Sequence, residues 1–443
     1  ALASTAYTFA THVLFCVGTK LIAVFLVKTA SIGVPVSKDN SKTMSGERIV
    51  RVGSRKSELA LIQTRTVIEH LRQRDANLKF ETITMHTTGD KILDSALSKI
   101  GEKSLFTREL EEALLNKKVD FVVHSLKDLP TEIPHGLVIG AVLKRDNPHD
   151  AVVMHPKYTG SGKKLADLPP GSVIGTSALR RAAQLQRKFP NFKIENIRGN
   201  LNTRFRKLSE DGSGYDAIIL AVSGLERMNW HHLIAEVLSP EDCMYAVSQG
   251  ALAVECRAGD EGTLELLADL HDFDTAICCV AERSFLRTLE GGCSVPVSVY
   301  SEKTEDKLVL RGGVFSICGT QAVKEEKVCS DLTTSDEQTN DTDNSAVEGY
   351  ISIMCHEDEN HTRYRSARRL GRELAMSMIE DGADVILKAA KNKTKEDILA
   401  EHAKRKMKAE MEAGTSSSSS AKVQKVEVGG GEPPVAASSD ATA

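Results

Sequence analysis

At 443 residues, with a net charge of −4, 41% apolar and 27% charged residues, the chain is too long for one core, too apolar for disorder and too acidic for a global basic field that would attract nucleic acid. Its nine cysteines are odd in number and include no C-x-x-C pair, which argues against a disulfide framework or a paired-cysteine zinc site and reads as reduced thiols of a cytoplasmic protein. Any anionic ligand must therefore be held by local clusters of Arg and Lys.

The apolar run Val13 to Val27 is shorter than the roughly 20 residues a membrane helix needs and carries Lys20 near its middle. No basic residues precede it, and the first arginine is Arg48, so neither a secretory nor a mitochondrial leader is read here. Residues 1–43 are expected to be an extension outside the fold, with the functional chain starting near Met44. No membrane association is expected.

From Arg48 to Ser54 a short strand runs into a turn with Arg55 and Lys56, and Ser57 stands at the N-cap of a helix that reaches Leu71. Free N–H groups at such a helix start can hold an anion. Phe80 to His86 is a second strand, Thr88 to Lys103 a long polar loop of the kind that forms lids, and a helix follows from Leu105 or Phe106 to Asn116. The buried strand Val119 to Val123 delivers His124-Ser125-Leu126-Lys127-Asp128-Leu129-Pro130 at its carboxyl end, where open α/β sheets bind ligands. Lys127 beside Asp128 is either a structural ion pair or catalytic machinery, and this position favours the second.

Asn147 to Met154 starts another strand near a crossing into a second lobe. Ile174-Gly175-Thr176, followed by Ser177 and a helix with Arg180 and Arg181, repeats the design of Val52-Gly53-Ser54, so two similar lobes facing one cleft are expected. A strand from Phe192 to Ile197 places Arg198 at its carboxyl end and Arg204 in the next helix, and Asp216 to Leu225 is one more buried strand with its turn. Met244 to Arg257 returns to the first lobe through Gln249-Gly250. Strands alternating with helices in this way define a mostly parallel α/β structure.

Asp272 to Leu289 reads as a helix opening a third domain, with strands at Val295 to Tyr300, Leu308 to Phe315 and Gly349 to Met354. Between helix and first strand lies Leu289-Glu290-Gly291-Gly292-Cys293-Ser294-Val295-Pro296, a cysteine on a glycine-softened turn: a helix cap before a buried thiol, or a reactive thiol. Glu325 to Glu348 reads as an acidic surface insertion and Arg369 to Ala390 as a closing helix. His356-Glu357-Asp358-Glu359-Asn360-His361 is one residue too long for the zincin spacing, so no metal site is expected. Beyond Lys391 a charged stretch passes into a Ser-, Gly- and Pro-rich tail too poor in apolar residues to fold.

Taken together, the motifs at Val52 to Thr64, Thr87 to Leu110, His124 to Pro130, Lys144 to Val153, Gly175 to Pro190, Ile197 to Leu208, Met244 to Arg257 and Phe285 to Val299 make the chain resemble the hydroxymethylbilane synthases, or porphobilinogen deaminases. The resemblance implies two periplasmic-binding-protein-like lobes around a cleft plus a smaller α+β C-terminal domain. By residue number these are lobe 1 at 44–145 and 245–271, lobe 2 at 146–244, the cofactor-attachment domain at 272–390 and a tail at 391–443. It implies a transferase that condenses four porphobilinogen molecules with loss of ammonia on a dipyrromethane joined by a thioether to Cys293.

The growing pyrrole chain carries on the order of a dozen carboxylates, each worth about 1.5–3 kcal/mol when met by a charge-assisted hydrogen bond. By resemblance Arg55, Ser57, Lys127, Ser177, Arg180, Arg181, Arg198, Arg204 and Gln249 hold these groups, since arginine forks match carboxylates. Asp128 matches the carboxylate that protonates the leaving amine and stabilises the cation left behind. Phe106 closes the lid, and a cytoplasmic monomer without nucleic-acid or membrane partners is implied. The alternative from another class is a non-catalytic two-lobed anion-binding protein, which leaves Asp128 and the Cys293 turn without a purpose.

Overall fold

The computed structural model describes residues 49–87, 89, 106–289, 295–334, 350–397 and 399–400. Strand β1 (Ile49–Arg55) leads into helix α1 (Glu58–Arg74), whose N-cap Ser57 is extended and whose acidic first turn and basic last turn suit the helix dipole. The helix buries Ala60, Thr64, Val67, Ile68 and Leu71, a stripe at helical spacing, against the sheet. Strand β2 (Lys79–Met85), helix α2 (Arg108–Leu115), strand β3 (Phe121–Ser125) and strand β4 (Leu137–Val142) complete the outward part of the first lobe.

The chain then crosses over. The second lobe holds β5 (Asp150–Met154), β6 (Val173–Gly175), α3 (Leu179–Lys188), β7 (Lys193–Glu195), α4 (Leu201–Ser209), β8 (Ala217–Ala221), α5 (Val222–Arg227) and β9 (Glu236–Val237). A return crossing brings in β10 (Leu252–Arg257), which inserts between β3 and β4.

The two sheets share one plan. The first has the order β2-β1-β3-β10-β4 and the second β7-β6-β8-β5-β9. In each, one strand, β1 or β6, is flanked by two parallel neighbours, and the strand arriving from the other lobe, β10 or β5, runs antiparallel. The carboxyl ends of β1, β3 and β6 therefore carry the corresponding turns, as the repeated strand–turn–helix pattern leads one to expect. On β8 the strand period is visible in packing: Ala217 and Ile219 enter one core, Ile218 and Leu220 the core on the other face.

Helix α6 (Glu261–Ala268) packs Leu267 into the first lobe's core, and the third part comprises α7 (Phe273–Thr288), the antiparallel strands β11 (Val297–Thr304), β12 (Lys307–Phe315) and β13 (Ala322–Cys329), and α8 (His361–Glu380). Asp272 caps α7 by accepting from the Thr275 N–H at 2.9 Å. Its apolar side chains share one core with Leu126, Leu129, Ile139 and Val142 of the first lobe. The third part is therefore packed into the first lobe, on the side of the Lys127–Asp128 turn.

Three sequence expectations change. Of the strand expected from Gly349 to Met354, the described residues 350–354 form a turn instead: Ile351 and Ser352 take φ of 52° and 67°, and Ile353 forms only isolated bridges, one of them to Ile139 of β4. The acidic stretch does not begin as an insertion at Glu325, because Glu325 and Glu326 lie inside β13, where Glu326 pairs with Arg311 and Glu325 accepts from Ser377 at 2.8 Å. The closing helix is two: α8 ends at Glu380, Gly382 takes φ of 90°, and helix resumes over 383–397 as α9.

His356 Nε2 donates to the Gly140 carbonyl (2.5 Å) and His361 contacts the Tyr350 hydroxyl (2.9 Å), so these two histidines have structural partners. No helix among the described residues is long and apolar enough to cross a membrane. The expectations for residues 1–43, for the tail beyond 400 and for the acidic stretch over 335–349 lie outside the described residues.

Candidate active site

The first lobe contributes two turns. At the end of β1, Arg55 stands with its guanidinium carbon 4.3 Å from the centre of the Phe106 ring. Ser57 follows at the head of α1, half-buried. Of the expected lid, Gly89 and Phe106 are described, and a β-carbon on Gly89 would stand 2.2 Å from the Phe106 ring, so only glycine permits this stacking. The remainder of Thr88 to Lys103 lies outside the described residues.

The second turn follows β3. His124 is buried against Glu255, ring nitrogen to carboxylate at 3.1 Å, and Gln63 of α1 donates to the Ser125 hydroxyl at 2.9 Å. A short 3₁₀ turn, Leu126–Asp128, then exposes the Asp128 side chain while Leu126 anchors in the core. Lys127 reaches across to donate to Oε1 of Gln249 at 3.3 Å. Burial pulls the Lys127 ammonium down to about 8; Asp128 and Asp150 act to keep it charged, and Arg180 and Arg181 oppose them.

The second lobe and the return crossing meet these turns around Asp150, at the start of β5. Its two oxygens receive Arg180 Nη1 and Arg181 Nη2, both at 2.7 Å, and Gln249 Nε2 at 2.8 Å. The two guanidinium groups hold this buried carboxyl well below the usual range despite its desolvation. Arg180 also donates to the Met244 carbonyl at 2.6 Å, and Arg181 to the Ile219 carbonyl at 2.9 Å. Arg181 Nε is buried with no hydrogen-bond partner, a donor left over for an added acceptor.

Arg204 of α4 donates to the Gly199 carbonyl at 2.9 Å. Burial draws its guanidinium down to about 10, with Arg181 and Arg198 pushing in the same direction and Asp128 opposing. Asp128 of the first lobe thus lies within electrostatic reach of Arg204 of the second. Arg198 is buried at the end of β7's loop, and Ser177 is half-buried in the turn between β6 and α3.

Lys127, Asp128, Arg180, Arg181, Arg198, Arg204 and Gln249 are therefore brought into one electrostatic neighbourhood, with Arg55 and Phe106 forming a separate contact at the first lobe's other turn. Cys293 lies outside the described residues; α7, which precedes it in the chain, ends at Thr288. Sequence reasoning missed Asp150. The available signal was a carboxylate opening an apolar strand, since a buried Asp requires cationic partners. It also missed Glu282 of α7, which grips Arg145 in the outward crossing at 2.6 and 3.1 Å and accepts from the Ser248 N–H of the return crossing at 2.6 Å.

Fold and site together define a two-lobed α/β protein in which Lys127, Arg180, Arg181 and Arg204 gather near the exposed carboxylate of Asp128, with donors suited to a ligand with several carboxylates. Residues 50–265 match the family described as "Porphobilinogen deaminase, dipyromethane cofactor binding domain", and residues 276–342 match "Porphobilinogen deaminase, C-terminal domain". The chain is 48% identical over 285 residues to the porphobilinogen deaminase of a Nostoc species, covering 64% of this chain and 87% of that one. It is 52% identical over 274 residues to the enzyme of Gloeobacter violaceus, covering 61% and 82%. Over 280 residues it is 46% identical to that of Dictyostelium discoideum, covering 62% and 86%. The chain belongs to the porphobilinogen deaminase family.

Proposed function

We propose that this chain condenses four porphobilinogen molecules head to tail, with loss of ammonia, on a dipyrromethane carried by Cys293, and releases hydroxymethylbilane. The family membership supports the reaction, and the meeting of Asp128 with cations of both lobes is the observation that carries the assignment of residues. The dipyrromethane, when bound, supplies a tethered pyrrole with a free carbon for the next unit. The donors around it fit a polycarboxylate: Arg181 retains an unpartnered buried Nε, and Arg204 is a buried cation whose charge an anionic arm would stabilise.

In this reading Arg55, Ser57, Lys127, Ser177, Arg180, Arg181, Arg198, Arg204 and Gln249 hold acetate and propionate arms of cofactor and substrate. Asp128 keeps the departing amine protonated, balances the positive charge left on the substrate when ammonia goes, and accepts the proton released after the carbon–carbon bond forms. Phe106 and the loop before it close over the cleft and exclude water. The domain division at 44–145 with 245–271, 146–244 and 272–390 is proposed on the same footing, as is action as a cytoplasmic monomer. A purely binding protein accounts for the arginines, but not for a family whose members are deaminases.

Two variants test the assignment. Cys293→Ser should lose the covalent dipyrromethane mass from the intact protein, and normal attachment in that variant would refute the tether. Asp128→Asn should keep the cofactor mass yet lose turnover by on the order of 100-fold or more, as expected for a removed general acid; near-normal turnover would remove Asp128 from the chemistry.

A further inference from the structure

The Asp128 carboxylate is exposed, and no side chain among the described residues hydrogen-bonds to it. Its place is therefore set by its backbone. On the upstream side β3 and the Lys127–Gln249 contact hold the chain. Downstream, the carbonyls of Leu129 and Pro130 are both taken by one residue, Arg283 of α7: Nη1 to Leu129 at 3.2 Å and Nη2 to Pro130 at 2.7 Å. The third donor, Nε, goes to the Ile351 carbonyl at 3.2 Å, inside the turn with two positive φ angles.

Arg283 is 1% exposed. Among the described residues it makes no ion pair, and burial draws it down to about 10. A buried guanidinium with only neutral acceptors is costly to keep, and hydrophobic residues would fill the same space more cheaply. What only a planar fork does is fix several carbonyls at set angles. The same helix runs on from Arg283 to Thr288, five residues before Cys293 in the sequence.

We infer that Arg283 is a positioning residue of the reaction: it locks the backbone after Asp128 to α7, and so fixes where the reacting carboxylate stands relative to that helix. This rests on the reading that Asp128 is the reacting carboxylate. Pro130 narrows the freedom of Leu129 and supports the same lock.

The test uses the full-length holoenzyme. Arg283→Lys keeps the charge and loses the fork. It should retain the dipyrromethane mass and a KM within about twofold of wild type, while kcat falls on the order of 10- to 100-fold, the scale of a misplaced reacting group. The shape of the kcat–pH profile should change as well, because the reacting groups no longer meet in the same geometry. Ser284→Ala on the same helix removes a 2.6 Å hydrogen bond to the Arg368 carbonyl, far from the Asp128 turn, and should leave kcat and its pH profile unchanged.

Wild-type kcat and pH profile in Arg283→Lys would overturn the inference, and so would an equal loss in Ser284→Ala. Loss of the covalent mass in Arg283→Lys would place the residue in cofactor assembly and also overturn it. If Arg283→Lys does not fold, Arg283→Gln is judged by the same criteria, and failure of both to fold makes Arg283 a folding residue instead. Asp128→Asn separates the two readings: loss of turnover there with normal kcat in Arg283→Lys removes only the positioning role, whereas normal turnover in Asp128→Asn removes the assignment beneath it.

Discussion

Asp150 is fully buried, yet it carries its charge because Arg180, Arg181 and Gln249 converge on its two oxygens at 2.7, 2.7 and 2.8 Å. It joins the strand entering the second lobe, the helix with the two arginines and the return crossing. Asp150→Asn keeps the shape and removes the charge, stranding two buried guanidinium groups, and should cost about 3–5 kcal/mol. The midpoint of urea unfolding at pH 7 measures this. The carboxyl's folded pKa is depressed, so its contribution is present above the unfolded value, near pH 4, and is lost as pH falls through the depressed range. Wild type should therefore lose more stability than Asp150→Asn when both are taken from pH 6 down to pH 3.

The cationic residues were legible one by one, because arginines after strand ends and near helix starts are unusual in a chain of net charge −4. Their mutual arrangement was not. Nothing in the spacing of Arg180 and Arg181 says that both share a carboxylate 30 and 31 residues upstream, or that Gln249 completes the set from 99 residues downstream.

Among the elements, α7 and α8 pack backbone against backbone at Gly371. A β-carbon at Gly371 would stand 2.1 Å from the Ala281 carbonyl oxygen and 2.8 Å from the Phe285 nitrogen, so glycine alone lets the two backbones touch. Gly371→Ala must push α8 away from α7. We expect a loss of about 1–3 kcal/mol, typical of overpacking, read as a lowered urea midpoint with the slope unchanged. Helix α7 itself was readable from its apolar spacing. Tyr350 to Met354 misled because its apolar residues look like a strand, whereas Ile353 pairs at β4 and Arg283 takes the Ile351 carbonyl; those tertiary contacts outweigh local propensity.

At the scale of the molecule, the two crossings between lobes converge on Glu282. Its oxygens receive both prongs of Arg145, the Ser248 N–H and the Ser301 hydroxyl at 2.6 Å, tying outward crossing, return crossing and β11 to α7. Glu282→Gln leaves Arg145 buried without its counter-charge and should destabilise the fold by about 3–5 kcal/mol. Hydrogen exchange should localise the effect, with faster exchange in residues 143–149 and 244–251 than in the strands of either sheet. Equal acceleration throughout would mean that the crossings are not what Glu282 holds.

By itself the sequence determined the repeated strand–turn–helix plan of two α/β lobes, the third part built on α7, and the chemical types gathered at the strand ends. These depend on local periodicity and on residue types whose preferences act over a few positions. Only the tertiary structure decided that Asp150, Glu282 and Arg283 tie distant segments together, and that the third part shares its core with the Asp128 turn. Each of these rests on pairing a buried charge or polar group with partners some 30 to 154 residues away, which no local pattern records.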